Sequence, residues 1–442
     1  KYIDVLERSL YNNVLSGVSV SGDLFFYPNP LESINGAKRS EWFGCACCPS
    51  NISRFIPAVP GYIYAVNNND IYVNLYIDGE AEMTLDKTNV QLIQSGDMPW
   101  GGNVEITVNP EVAATFTMKI RIPGWARDEV VPGNELYWFK NNSEKQAVVK
   151  VNGQTLSEEL ENGYFNITRN WKKGDVISID LPMDIRRIVS HENVEGNRGK
   201  IALQYGPFVY CSEGVDFSDP SILDLVMFDN SKLNAAKEKN ELGEMIVISG
   251  KASQTQRMMD GTVKLTNEVD FKAIPYYAWA QRGVTPMVMW YPSNKDVSKP
   301  KPAPTIANLS RIDGSINNRS IEAIRDQILP SSSNDKNCQF FHWWPNSNQT
   351  EWISYTFDKP YTVSKSKIYW YNDDGGCRRP AAWRLYYLEN GKWNEVSGKN
   401  EYDTQLHVMN TVDFEPVTTT AVKLEVDLPK DTSSGIHEWI IE

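Results

Sequence analysis

FTMKIRIPGWA, residues 116–126, places Phe116, Met118, Ile120 and Ile122 on one side of an extended chain and Thr117, Lys119 and Arg121 on the other. Apolar residues at every second position mark a half-buried β-strand, and the Pro-Gly that follows stops it. The same pattern extends outward in both directions. IYVNLYI (71–77), VEITVNP (104–110), AVVKVNG (147–153), YFNITRNW (164–171) and VISIDLP (176–182) read as strands bounded by Gly, Asn, Pro or Asp turns. Their spacing predicts an antiparallel sandwich over residues 64–184. KIALQYGPFVYC (200–211), MIVISG (245–250), VKLTN (263–267) and PMVMWY (286–291) predict a second β-domain over 185–292, with residues 221–244 read as an excursion outside its core. SNKDVSKPKPAPT (293–305) is rich in Pro and Lys and reads as an extended linker. Beyond it, EWISYTF (351–357), SKIYWYN (366–372), AWRLYYLE (382–389) and a closing VKLEVDL (422–428) predict a third β-unit over 306–442.

The chain has 442 residues, of which 41% are hydrophobic, enough for about three domains with sizeable cores. A formal net charge of −12 argues against nucleic acid or an anionic membrane surface as partner. No run of 18 apolar residues is present, so no membrane-spanning helix is expected. With 14 Trp and 21 Tyr, the composition leans toward carbohydrate contact, because aromatic rings pack on the apolar faces of sugars as readily as in sandwich cores. At the start of the chain Ile3, Leu6, Leu10, Val14 and Leu15 keep near-helical spacing without a preceding cap, and the chain is expected to open inside a domain.

WFGCACCPSNISRF (42–55) gathers three of the six cysteines, Cys45, Cys47 and Cys48. Neighbouring cysteines bond to each other poorly, since adjacent Cα atoms lie about 3.8 Å apart and a disulfide spans roughly 4.4–6.8 Å. A soft metal or nucleophilic sulfur chemistry suits them, and three small buried hydrophobes remains an equal reading. Pro49 reads as the first helical residue, ahead of an amphipathic turn through Ile52 and Phe55. Cys211, Cys338 and Cys377 are scattered singly, so a complete metal site needs donors from elsewhere.

FFYPNPLES (25–33), WFGCACCPSN (42–51), MKIRIPGWA (118–126), KIALQYGPFVYCSEGVD (200–216) and IPYYAWAQRG (274–283) resemble, in matching order, the second half of glycoside hydrolase family 127 and its relative family 146, which include β-L-arabinofuranosidases. The resemblance implies a mainly β chain: a remnant of an (α/α)6 catalytic barrel over residues 1–63, then two β-sandwiches, with 284–292 returning to complete the first. It implies a retaining mechanism in which Cys47 is the nucleophile and Cys47 and Cys48 bind Zn²⁺, while Cys45 serves packing. Tyr27 and Asn29 match the stretch that lines the sugar pocket, against the alternative that they shape a turn. The family's remaining zinc ligands, an E-x-C pair, and its acid/base Glu lie upstream of the cysteine pair. No E-x-C precedes Cys47 here, so these partners are expected outside the chain. Glu32 and Glu41 read as solvated loop residues and His191 as structural.

Residues 306–442 resemble a discoidin-like (factor 5/8 type C) β-sandwich through HWWPNSNQTEWISYTFDKPYTV, GGCRRPAAWRLYY and the terminal strand. This implies sugar contacts at Trp343, Trp344, Asp373 and Arg378, and a structural Ca²⁺ near Asp326. Together the resemblances imply hydrolysis of terminal L-arabinofuranosides on plant-glycan side chains, a bacterial periplasmic or extracellular setting, and a homodimer as one assembly. The alternative is a noncatalytic carbohydrate-binding or structural fragment, and a redox or zinc-storage role for CACC is a third.

Overall fold

The computed structural model describes the chain apart from residues 134, 158, 219–220, 259–261, 301–302, 317–318 and 337. Two compact units divide within the expected linker, one over Lys1–Lys301 and the other over Pro302–Glu442. The linker carries a short 3₁₀ turn at Lys295–Val297, and Lys301 and Pro302 lie outside the described residues.

The first unit opens on a helix, Tyr2–Arg8, which widens into a π-helical turn over Ser9–Val14. A second helix, Cys47–Phe55, runs into a 3₁₀ segment at Ile56–Tyr62. A six-stranded and a four-stranded sheet then follow the predicted alternation. Asn103–Pro110, Ala114–Arg121, Tyr164–Trp171 and Asp175–Asp180 are all strands, and Phe116, Met118 and Ile120 are buried as their pattern required. One departure is a parallel pairing of Asp70–Val73 with Ala114–Arg121 in the otherwise antiparallel arrangement. Two strands without a strong predicted pattern, Gly79–Thr84 and Asn89–Gly96, complete the larger sheet.

An eleven-stranded sheet follows, built around Lys200–Tyr205, Phe208–Glu213, Gly243–Arg257 and Val263–Pro275. Two expectations are corrected here. Met287–Val288 and Tyr291–Pro292 hydrogen-bond to Ser212–Glu213 and Lys200–Ile201, so the returning segment joins this sheet and not the first sandwich. The side chains of Met287 and Met289 nevertheless sit in the same apolar cluster as the first sandwich, which is why composition could not separate the two. The segment 221–244 is also not an excursion: Leu225, Val226 and Met227 are fully buried, and Leu233–Asn240 pairs along Gly243–Arg257.

The helical start is tied to the first sandwich by buried charge. The Arg121 guanidinium, 2% exposed, pairs with Glu7 and, at 2.7 Å, with Asp4. Trp125 Nε1 donates to the second Glu7 oxygen at 3.1 Å, and Gly124 N donates to Asp4 at 3.1 Å. Burying carboxylates costs several kcal/mol per ion unless they are paired and hydrogen-bonded, and here each is.

The second unit is a seven-stranded β-structure in which two long strands, Thr350–Tyr371 and Met409–Asp427, pair through register shifts that bend them. The terminal strand is Gly435–Ile441, not 422–428, and it lies inside the sheet beside Thr350–Tyr371. Trp343, Trp370, Trp383 and Trp439 are buried to 2% exposure or less. Much of the aromatic enrichment is therefore core packing.

Candidate active site

Ala46 caps the helix with no side-chain hydrogen bond, and Cys47 and Cys48 are its first two residues. Pro49, expected as the first helical residue, is the third. The shift places both sulfurs at the positive end of the helix dipole, where thiolate is favoured over thiol. Asn51 Nδ2 donates to Cys47 O at 2.7 Å, and Ser50 Oγ donates to Ala46 O at 2.7 Å, fixing this first turn.

The Cys47 side chain is exposed, and its sulfur lies 3.6 Å from the Tyr27 hydroxyl and 3.9 Å from Cys48 Sγ. These contacts hold the Cys47 thiol below its ordinary pKa, the Tyr27 hydrogen bond first and that of Cys48 next. The same contact pushes Tyr27 up to about 12, so the phenol stays a donor. Cys48 is raised, by burial and then by its neighbour Cys47. The two adjacent thiols thus differ in kind, and Cys47 is the more readily ionised.

Two sulfurs bound at about 2.3 Å to one tetrahedral zinc stand roughly 3.8 Å apart. The observed 3.9 Å fits that span without rearrangement. Among the described residues no group of three His, Cys, Asp or Glu side chains is placed to hold a metal ion, and Cys47 and Cys48 would be two of the four donors of a tetrahedral site. Cys45, expected to serve packing, is instead exposed. All six cysteines are free thiols.

Tyr27 is held edge-on against Phe43, with ring centroids 4.4 Å apart. Asn29 is half-buried and accepts a hydrogen bond from Ser16 Oγ, which ties its amide to the end of the first helical stretch. Glu32 belongs to a two-residue strand paired with Met287–Val288 and forms an ion pair with Lys299. Glu41 is exposed. His191 shapes a turn, its Nδ1 accepting from Asn193 N at 3.1 Å. Sequence reasoning missed Arg39, which is 3% exposed and lies 4.2 Å from the Phe26 ring centroid, because its burial depends on acceptors such as Trp279 O, 240 positions away.

In the second unit the expected sugar platform divides. Trp343 is fully buried against Phe341 and cannot meet a ligand. It directly follows the Phe341–His342 strand. Trp344 is 54% exposed, and its ring rests on the backbone of Gly376, where a Cβ would come within 2.6 Å. The loop 373–378 therefore packs on the exposed indole. Asp373 accepts from Gly375 N and Cys377 N, both at 2.8 Å. Burial acts to raise its carboxyl, but these hydrogen bonds outweigh it and leave the group below its usual value. Arg378 is exposed and donates to Asp374 Oδ1 at 3.1 Å. Asp326 meets Glu438, which is 1% exposed. Burial, opposed by a hydrogen bond from Ile328 N, pushes Asp326 up to about 7. Burial and the Asp326 charge push Glu438 up to about 9.

A helical segment bearing an adjacent pair of thiols, one of them exposed, two β-domains and a separate β-module form the layout of a modular glycoside hydrolase. Family models agree in order along the chain. Residues 1–61 match the catalytic domain of the family 127 β-L-arabinofuranosidases, 70–183 the middle domain, and 185–292 the family 127 C-terminal domain. Residues 318–439 match the F5/8 type C domain. The chain belongs to glycoside hydrolase family 127 and carries an appended discoidin-like domain. A non-reducing end β-L-arabinofuranosidase of Bifidobacterium longum is 31% identical over 232 residues, which are 49% of this chain and 32% of that enzyme. A solved family 127 β-arabinofuranosidase superposes with a TM-score of 0.65 at 40% identity, covering 68% of this chain and 47% of the other. A Geobacillus stearothermophilus family 127 β-L-arabinofuranosidase gives 0.59 at 35%, covering 66% and 46%. The chain thus spans under half the length of each of these relatives.

Proposed function

We propose that this chain carries the nucleophile of a retaining β-L-arabinofuranosidase, with Cys47 attacking the sugar and Cys48 beside it as metal ligand. The observation that carries this reading is the exposed Cys47 thiol at a helix start, within reach of both Tyr27 and Cys48. In the first step Cys47 sulfur forms a bond to the anomeric carbon as the bond to the leaving oxygen breaks, with the proton for that oxygen coming from a carboxylic acid. In the second, water replaces the sulfur at the same carbon, its proton passing to the carboxylate left by the first step, and the thiolate returns, so configuration is retained. Bound zinc supplies a positive charge that keeps the sulfurs deprotonated. Tyr27, kept protonated, donates to the departing and returning thiolate. Asn29 lines the sugar pocket, and its tie to Ser16 limits its reorientation. The acid and the other two metal donors are expected upstream, as in the family pattern, and the setting is expected to be periplasmic or extracellular, with plant-glycan side chains as substrate and a homodimer as one assembly.

The test is hydrolysis of p-nitrophenyl β-L-arabinofuranoside by the natural polypeptide that carries these residues, with zinc measured in the same sample. Turnover with about one zinc per chain supports the reading. Turnover that survives complete zinc removal would overturn the metal-thiolate arrangement.

For the C-terminal module we propose sugar binding on the exposed face of Trp344, with Asp373 shaping the loop and Arg378 supplying donors. Trp344→Ala is expected to weaken retardation in a gel containing soluble arabinan by roughly tenfold, about 1.4 kcal/mol. Unchanged retardation would remove Trp344 from the site. We also propose that Asp326 and Glu438 hold Ca²⁺ with backbone carbonyls, since two facing carboxylates suit a hard cation. At a hundredfold excess over Kd, Ca²⁺ is expected to stabilise the module by about 2.7 kcal/mol. A thermal melt should show this shift in the native chain and not in Glu438→Gln; equal shifts in both would place any Ca²⁺ elsewhere.

A further inference from the structure

The segment that bears Tyr27 and Asn29 is held on its far side by the second β-domain. Phe26, directly before Tyr27, lies 5.1 Å from Trp279 between ring centroids and is covered by the Arg39 guanidinium. Arg39 Nη1 donates to Ser16 O at 2.7 Å and Nη2 to Trp279 O at 3.0 Å. With the Gln281 amide oriented so that its oxygen faces the guanidinium, that oxygen accepts from Arg39 Nε at 3.1 Å. The Tyr276 hydroxyl donates to Pro30 O at 2.8 Å, one residue past Asn29. Met289 N donates to Leu31 O at 3.0 Å, and Glu32–Ser33 pairs with Met287–Val288. Gly36, at φ +72°, lies so close to Thr285 that a Cβ would come within 2.5 Å of its backbone nitrogen.

The loop that makes these contacts is itself fixed. Ala280, at φ +55°, is held in the left-handed region by donating its N–H to Glu213 Oε1 at 2.7 Å. Arg282 donates to Glu213 at 2.8 Å and to Asp216 at 2.7 Å, and Glu213 is fully buried. A strained non-glycine turn backed by a buried ion pair persists only where surrounding structure over-determines it. The contacts run continuously from Glu213 through Ala280, Trp279 and Arg39 to Phe26, then Tyr27 and the Cys47 sulfur.

We propose that Arg39 and Tyr276 are positioning residues for the Tyr27–Cys47 pair, Arg39 by clamping Phe26 between Ser16 and the 276–283 loop, Tyr276 by pinning Pro30. This rests on the reading of Cys47 as nucleophile. The second β-domain thereby sets the geometry of a catalytic contact that it does not touch.

The test is alkylation of Cys47 by iodoacetamide on the metal-stripped 442-residue chain at one neutral pH, resolved from Cys45 and Cys48 by peptide mass spectrometry. Tyr27→Phe is expected to slow Cys47 severalfold. Tyr276→Phe, which keeps the ring and loses one hydroxyl, is expected to slow it similarly and to add nothing when combined with Tyr27→Phe. Arg39→Lys, which keeps the charge and loses the planar fork, should do the same. Cys45 and Cys48 should be unaffected. The proposal is overturned if Cys47 reacts at the native rate in both Tyr276→Phe and Arg39→Lys, or if all three cysteines accelerate together, which would mean a loosened segment. Alkylation needs no turnover, so this idea and the arabinofuranosidase reading can fail separately.

Discussion

Cys47→Ser is expected to lower turnover of p-nitrophenyl β-L-arabinofuranoside by roughly 10⁴-fold or more, the scale on which loss of a covalent nucleophile is felt. A serine hydroxyl fits the space but is not ionised near neutral pH, and among the described residues no carboxylate or imidazole hydrogen-bonds at that position. Tyr27 is a donor at that position and cannot take the proton. The thermal melt should be unchanged, since Cys47 is exposed and contributes no core packing. On the proposed reading metal content should fall as well, because one of the two donors this chain would supply has been lost. Cys48→Ser separates the roles: metal falls again, but a nucleophile remains. Retention of activity within about tenfold in Cys47→Ser would exclude Cys47 from the covalent step.

The largest expected effect on stability is at Arg121. Arg121→Met removes the cation that both Glu7 and Asp4 face; Asp4 keeps the Lys1 ammonium and Arg127, but the buried Glu7 carboxylate is left with the Trp125 N–H. Breaking a buried pair by deleting one partner costs about 3–5 kcal/mol, because the surviving charge keeps its desolvation penalty. Arg121→Lys restores charge but not the fork that reaches both carboxylates, and should recover only part of the loss. Denaturant melts of the two variants check this. A loss below about 1 kcal/mol for Arg121→Met would mean that the pair is solvated in solution.

Period-2 alternation made the β-architecture legible because each strand buries one face, and a single misplaced residue would turn that face to water. Phe116, Met118 and Ile120 illustrate this directly. The start of the second helix was not legible, since Ala46 offers no capping side chain and Pro49 was the remaining local signal. Trp343 and Trp344 were equally indistinguishable, because composition does not record which of two neighbours points inward.

The sequence by itself determined the succession of helical start, β-domains, linker and terminal β-unit, along with the clustering of Cys45, Cys47 and Cys48. Each of these is written in local spacing. Only the tertiary structure decided that residues 287–292 join the second sheet, that Tyr27 meets Cys47, that Asp326 faces Glu438, and that Arg39 is clamped by a loop 240 residues later. Such pairings depend on chain closure over long separations and on the desolvation of specific polar groups, neither of which leaves a periodic trace along the chain.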